Sequence, residues 1–139
     1  MHVHAFAQTG VITTIAGTGT GGYGGDGGLA INAKFAKPSR SCLDNAGNIL
    51  VADALNNRIR KIDLVSGIIT TIAGTDSFGY NGDNILATDA TLTTPMAVIT
   101  DTAGNIYIAD GYNNRIRKIS FATGIITTIA GNGTMGYAG

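Results

Sequence analysis

Apolar residues in this chain fall into short runs separated by turns rich in Gly, Asn and Asp. Residues 48–53, Asn-Ile-Leu-Val-Ala-Asp, form a continuous apolar run with polar ends, the pattern of a strand covered on both faces. Residues 68–73, Ile-Ile-Thr-Thr-Ile-Ala, are rich in β-branched side chains, which suit a pleated surface. Between them, 57–63 predicts a strand with charged outward positions, and 38–44 predicts one that follows Pro38 and ends in Asp44. Asp44-Asn45-Ala46-Gly47-Asn48 reads as a turn, its Asn and Gly suiting positive φ. Residues 64–67 are again hairpin-sized, and a connector over 75–94 leads to Pro95. Helix is confined to single turns at the two Leu-Ala-x-x-Ala stretches, 29–33 and 86–90.

This pattern repeats. Gly10-Val-Ile-Thr-Thr-Ile-Ala-Gly17 returns at 67–74 and at 124–131, an offset of 57 residues each time. Tyr23, Tyr80 and Tyr137 keep that spacing, as do Asp26 and Asp83, and Pro38 and Pro95. Aligning 10–66 with 67–123 gives 30 identities in 57 positions. The chain divides into a leader (1–9), a first repeat (10–66), a second (67–123) and the start of a third (124–139). Four short antiparallel strands in a repeat of this length predict an all-β fold made of β-propeller blades.

The motifs are similar to those of a known family. Pro95…Asp101-Thr-Ala-Gly104-Asn-Ile-Tyr-Ile-Ala-Asp110-Gly-Tyr-Asn113-Asn-Arg115-Ile resembles the NHL repeat, and Pro38 to Ile59 matches it equally well. The leading Gly-Tyr-x-Gly-Asp segment resembles the extended NHL variety, with a longer loop between blades. The resemblance covers both repeats and implies a propeller, usually of about six blades, with a binding surface at one end of the ring. Two blades do not close such a ring. The strand inventory predicts two complete blades plus a surplus outer strand at 11–16, a third copy of 68–73 and 125–130. The expectation is either a piece of a larger propeller or a chain that associates with copies of itself. Three copies of an uncharged, Pro-free β-prone segment also open a fibrous route through edge pairing.

Composition narrows the function classes. Twenty-one of 139 residues are Gly, all nine acids are Asp, and Glu and Trp are absent. Helical architecture is disfavoured, because Gly costs helix interiors about 1 kcal/mol relative to Ala. The net charge is zero, which removes a global pull toward nucleic acid or anionic membrane. No apolar run is long enough to span a bilayer as a helix. Met1–Phe6 lacks the basic segment and apolar core of a signal peptide. Cys42 has no intrachain disulfide partner and reads as a small buried residue.

The repeated polar residues are the candidate site. Asp53, Asn56, Asn57 and Arg58 recur as Asp110, Asn113, Asn114 and Arg115. Asp and Arg five residues apart across a hairpin meet readily, with Asn capping the turn, and the favoured role is a structural network fixing blade to blade. Arg58, Arg60 and Lys61 recur as Arg115, Arg117 and Lys118, six of the nine cations. Some NHL propellers bind RNA on a basic face, yet the zero net charge favours solvation of an outer strand. Asp26 and Asp83, with Asn32 and Asp89, offer oxygen ligands for Ca²⁺, but loop capping is the stronger reading because the chain has no Glu. The Gly17–Gly28 loop has neither the Lys-Ser/Thr nor the helix of a phosphate loop. His2 and His4 make a weak metal pair, and Asn132-Gly133-Thr134 matches a glycosylation acceptor. Some NHL-like propellers are lyases or hydrolases with metal-binding His and Asp at the central channel. Here 38–44 and 95–101 carry no His, and only Asp44 and Asp101 at their ends. The expectation is a non-enzymatic scaffold or interaction module without cofactor or metal, whose partner is a protein or a second copy.

Overall fold

Each repeat forms one antiparallel sheet, because two tight turns and one left-handed corner fold its four apolar runs back on one another. The computed structural model describes residues 10–137. The first sheet holds β1 (Pro38–Leu43), β2 (Ile49–Asp53), β3 (Arg58–Ile62) and β4 (Ile69–Ala73), in that spatial order. The second holds β5 (Ile85–Leu86), β6 (Pro95–Thr100), β7 (Ile106–Asp110), β8 (Arg115–Ile119) and β9 (Ile125–Ala130), in the order β6-β7-β8-β9-β5. These are propeller blades. In the β1–β2 turn the Asp44 carboxylate accepts the N–H groups of Ala46 and Asn48 at 2.9 Å each, the local bond that makes Asp a turn residue. The single helical turns expected at 29–33 and 86–90 appear as 3₁₀ turns at Ala30–Asn32 and Ala87–Asp89. Two further 3₁₀ turns, Ala54–Asn56 and Gly111–Asn113, join β2 to β3 and β7 to β8.

Pairing within the blades is the same in both. Ile49↔Ile62 through Asp53↔Arg58 in the first becomes Ile106↔Ile119 through Asp110↔Arg115 in the second. A slip of one residue would turn every apolar side chain to the wrong face. Alternate positions of β2 therefore serve two different cores. Leu50 and Ala52, with Ile59 and Ala73, face blade 2, where they meet Val98, Ile108, Ile119 and Ile126. Ala87, Ala90 and Leu92 of the connector complete this joint. Each Ile sealed there contributes about 1.5–3 kcal/mol by removal from water. On the opposite face of blade 1, Val51, Ile62 and Ile69 pack on Ala30, Ala33 and Phe35 of the preceding connector.

The connector also guards each outer edge. Leu86 pairs with Ile125, and Leu29 makes the equivalent bridge to Ile68. Gly27 donates its N–H to the Ile69 carbonyl at 2.8 Å, and Ile69 donates back to Gly28 at 3.0 Å. A short added strand of this kind blunts an edge otherwise open to another chain.

Two expectations need correction. Residues 11–16 are not a strand. A strand exists only through a ladder neighbour, and no described residue supplies one; Val11 and Ile12 lie in solvent. The positions 57 before β3 are Met1–Ala5, which read Met-His-Val-His-Ala instead of Arg-Ile-Arg-Lys-Ile. The leader 1–9, with His2 and His4, lies outside the described residues. The end of the 11–16 segment is nevertheless held. Gly17 donates to the Ala30 carbonyl at 2.9 Å as Gly74 does to Ala87 at 3.0 Å, and Ala16 packs on the Val51–Ile69 cluster. Cys42 is half-buried and its sulfur is free, since it sits at the rim of the joint and not inside it. Among the described residues no helix is long and apolar enough to cross a membrane.

Candidate functional site: the arginine cages and the open blade faces

The polar residues that repeat are gathered at the corner between β2 and β3, and again between β7 and β8. Asn57 (φ 54°) and Asn114 (φ 50°) adopt the left-handed conformation that ends the 3₁₀ turn, which Asn tolerates better than most residues. That sharp corner sets Asp53 opposite Arg58 in the ladder. The guanidinium that reaches Asp53, however, belongs to Arg60, with Nη1 3.3 Å from Oδ2. Arg58 instead donates to the Asn56 carbonyl at 2.9 Å and stacks on the Tyr23 ring at 3.9 Å.

Arg60 is the centre of the arrangement. Its side chain is fully buried, and its Nη2 lies 2.6 Å from Asp26 Oδ1. Asp26 in turn accepts the Tyr23 hydroxyl at 2.8 Å and the Thr71 N–H at 3.1 Å. Asp53 accepts the Ala36 N–H and the Asn56 Nδ2 at 2.8 Å each, and Asn56 also donates to the Gly22 carbonyl at 2.8 Å. The bonds from Arg60 and Thr71 to Asp26, from Ala36 to Asp53 and from Asn56 to Gly22 tie the connector to the blade it precedes, while Tyr23–Asp26 and Asn56–Asp53 brace the two sides. Blade 2 repeats the cage: Arg117 Nη2 lies 3.1 Å from Asp83, and Arg117 Nη1 lies 3.6 Å from Asp110. Tyr80 donates to Asp83 at 2.9 Å and lies 3.8 Å under Arg115. Asp110 accepts Thr93 N–H and Asn113 Nδ2 at 2.8 Å each. Sequence spacing pairs Asp53 with Arg58, five residues away across the hairpin, and leaves Arg60, Tyr23 and Asp26 out of the network. The signal was there, since Tyr and Asp also return at the 57-residue offset.

The electrostatics follow from these partners. Partial burial raises the Asp26 carboxyl, but bonds from Thr71 and Tyr23 and the Arg60 charge outweigh it, so the group lies below the ordinary carboxylate value. Asp83 is lowered in the same way, with Tyr80, Thr128 and Arg117 overcoming burial. At Asp110 burial wins over Asn113, Thr93 and Arg117, and the carboxyl is raised. With Arg60 and Arg117 buried, the picture of solvated cations on β3 and β8 fails for those two, while Arg58, Lys61, Arg115 and Lys118 are half-buried and only partly solvated. Asp26 and Asp83 are committed to guanidinium groups, and among the described residues no three His, Cys, Asp or Glu side chains converge on a common point.

The second feature is the joint between blades and its unfinished counterparts. Across the joint, Asn57 Oδ1 accepts the Thr94 N–H at 3.0 Å, and Asn45 Nδ2 donates to the Thr102 carbonyl at 2.9 Å. Ser39 Oγ donates to the Met96 carbonyl at 2.9 Å, and Thr100 Oγ1 to the Leu43 carbonyl at 3.2 Å. A groove of about 710 Å³ opens beside the joint, walled by Leu50, Ile72, Leu86, Ile106 and Phe121. The Lys61–Asp44 pair at 3.5 Å stands at its rim. Among the described residues nothing covers the far side of blade 2 in this way. Ile116, the counterpart of Ile59, is 38% exposed where Ile59 is 0%. The copies also part in sequence here: between Pro38 and Asp44, none of positions 39–43 repeats in 96–100.

No protein-family model matches the chain. Its sequence is 30% identical over 110 residues to NHL repeat-containing protein 2 of Bos taurus and of Homo sapiens, covering 73% of the chain and 15% of each relative. The chain belongs to the NHL-repeat family. Protein SUPPRESSOR OF QUENCHING 1, chloroplastic, of Arabidopsis thaliana is also 30% identical over 110 residues, covering 74% of the chain and 10% of that protein. A crystal structure of a structural genomics protein of unknown function from Bacteroides thetaiotaomicron superposes with a TM-score of 0.58 at 28% identity, over 65% of the chain and 22% of that structure. This pair of NHL blades thus spans roughly a tenth to a fifth of the proteins it matches.

Proposed function

We propose that this chain is a non-enzymatic pair of NHL blades that serves as a scaffold or interaction module and is completed by further blades. The observation that carries this reading is the duplicated cage. Asp26, Asp53 and Arg60, and likewise Asp83, Asp110 and Arg117, spend their charges on one another and on the connector. A catalytic acid or base has to be free to take or give a proton at a substrate, whereas these groups fasten loops in the same way in both blades. What stays open is apolar sheet face, the material of contact surfaces. Elemental analysis of the purified protein tests the reading. No stoichiometric divalent ion is expected, and one ion per chain would return the enzyme reading to first place.

A further inference from the structure

We infer that the open face of blade 2 receives the open face of blade 1 from a second copy, head to tail, with the Asn114 carboxamide clamping the Lys37 N–H of that copy. The inference rests on the scaffold reading and names its partner. The template is the joint inside the chain. Shifting each residue of that joint by 57 positions identifies the two surfaces that would meet.

On the departing side, Ile59, Ala73, Cys42 and Ile72 become Ile116, Ala130, Ile99 and Ile129. The first set lies in or against the joint core; of the second, Ile116, Ile99 and Ile129 are 38%, 59% and 51% exposed, and Ala130 is also exposed. On the arriving side, the buried Pro95, Val98 and Leu92 become Pro38, Ser41 and Phe35, all wholly or partly exposed. Backbone geometry is duplicated along with them. Thr94, whose N–H is held by Asn57, has φ 50°, and Lys37 has φ 53°. Asn114 stands at φ 50° as Asn57 does at 54°, and among the described residues no N–H donates to its Oδ1. Both halves of the clamp are therefore built, one at each end of the molecule.

The joint between copies would differ in chemistry from the internal one. Three positions whose side chains hydrogen-bond across the internal joint, Ser39, Asn45 and Thr100, have counterparts Met96, Thr102 and Leu43 on the open faces. Met96 lies across Gly111, where any Cβ would meet it at 2.8–2.9 Å; blade 1 instead pairs Ser39 with Ala54. Met96 and Leu43 are 50% and 61% exposed, so apolar contact replaces polar bonds at the inner rim. One competitor stands in the way. Ala16 lies against the blade 1 face, and Ile15 lines a groove there with Phe35, Pro38 and Ser41, the ground that Ile129 and Ala130 of a neighbour would take. Residues 11–16 make no ladder bonds to any described residue, whereas β9 pairs with β8 at four positions, so the 11–16 segment yields. A head-to-tail contact closes when the rotation allows, and propellers of about four to eight blades correspond to rings of two to four copies.

The test separates two faces by mixing. Ile116→Asp spoils the departing face and Ser41→Asp the arriving face, both at solvent-accessible positions; Ile99→Asp is a second departing-face variant. Circular dichroism and urea midpoints establish that each variant stays folded. In sedimentation velocity the wild-type chain is expected as a discrete assembly, and each variant alone as a monomer with association weakened at least about tenfold. An equimolar mixture of Ile116→Asp and Ser41→Asp is expected to give a one-to-one dimer and nothing larger, since only one good face remains on each chain. A folded wild-type monomer, assemblies that survive both Ile116→Asp and Ile99→Asp, or a mixture with no dimer would overturn the inference. A monomeric outcome leaves the scaffold reading standing, and that reading falls separately if a stoichiometric metal is found.

Discussion

Ile59 and Ile116 are the same residue at the same place in two blades, and one is sealed while the other is more than a third exposed. The comparison extends to Ala73 against Ala130, and in the other direction to Pro95 against Pro38. Yet the backbone does not register the difference. Asn57 and Asn114, Gly74 and Gly131, and the ladders between them keep one geometry in both copies. Blade shape is thus set inside the repeat, by the cage and the turns, while burial is set by the neighbour. Gly74 illustrates the first half of that statement. At φ 92° its Cα passes so close to the Asn57 carbonyl that no Cβ fits, and Gly131 (φ 85°) repeats the contact with Asn114.

If the cage shapes each blade independently of the joint, breaking it should hurt both. Asp53→Ala leaves Arg60 buried without its inner partner, and removal of one member of a buried pair typically costs about 3–5 kcal/mol. Urea denaturation of Asp53→Ala and Asp110→Ala should show both losses. The second should be smaller, because Arg117 stands farther from its carboxylate and burial already raises that group. A costless Asp110→Ala would mean that the cage draws its strength from the joint. The apolar contrast runs the other way. Ile59→Ala should cost about 2–5 kcal/mol as a sealed core truncation, and Ile116→Ala about 1 kcal/mol or less in the isolated chain. Equal costs would show that the face of blade 2 is covered in solution.

The blade was legible in the sequence because turn chemistry, β-branched runs and a repeat offset all pointed to one answer. The surplus strand was misread for the same reason. Residues 11–16 have the right composition, but strandedness is a property of a pair, and their sequence holds no record of whether a neighbour pairs with them. The cage was half legible. Asp53 and Asn56 were found through repetition, whereas Arg60 was assigned to solvent because its charge says outside. Its burial depends on Asp26, which is 34 positions away and arrives on the connector. The burial difference between Ile59 and Ile116 was invisible, since identical letters carry no information about what packs against them.

Acid titration sharpens the comparison between cages. Asp26 and Asp83 are lowered from an ordinary value of 3.8. Their stabilisation is fully present above that value and is lost as pH falls through the folded values below it. Asp110 is raised, so the folded state binds its proton first, and stability is gained as pH falls into the window just above 3.8. Thermal melts by circular dichroism should therefore be nearly flat from neutral pH to about 5 and fall below about 4. Asp26→Asn and Asp83→Asn should flatten the fall. Asp110→Asn should remove the opposing gain and leave the fall in place. A melting temperature that drops steadily between pH 7 and 5 would contradict the assignment.

The smallest effect probes the clamp itself. Thr94 is β-branched, precedes Pro95, and sits at φ 50°, although a residue before proline is steered toward extended backbone and a β-branched residue rarely enters the left-handed region. Strain of this kind costs about 1–3 kcal/mol and persists only where the surroundings enforce it. The enforcing contacts lie inside the repeat, where Asp110 holds the Thr93 N–H as Asp53 holds that of Ala36. Lys37 keeps φ 53° with no clamp on its own N–H among the described residues, and the Asn57 carboxamide on the Thr94 N–H adds one bond across the joint. Thr94→Gly keeps that N–H and removes the Cβ, so it should raise stability by about 1 kcal/mol. Lys37, unbranched at φ 53° on the open face, should gain only a few tenths of a kcal/mol from the same change. The contrast then isolates the cost of β-branching at this φ. In a double-mutant cycle, Asn57→Ala should leave the gain from Thr94→Gly unchanged, because the unclamped Lys37 holds the same φ. A gain that shrinks when residue 57 is changed would place the strain in the contact between blades and not in the repeat.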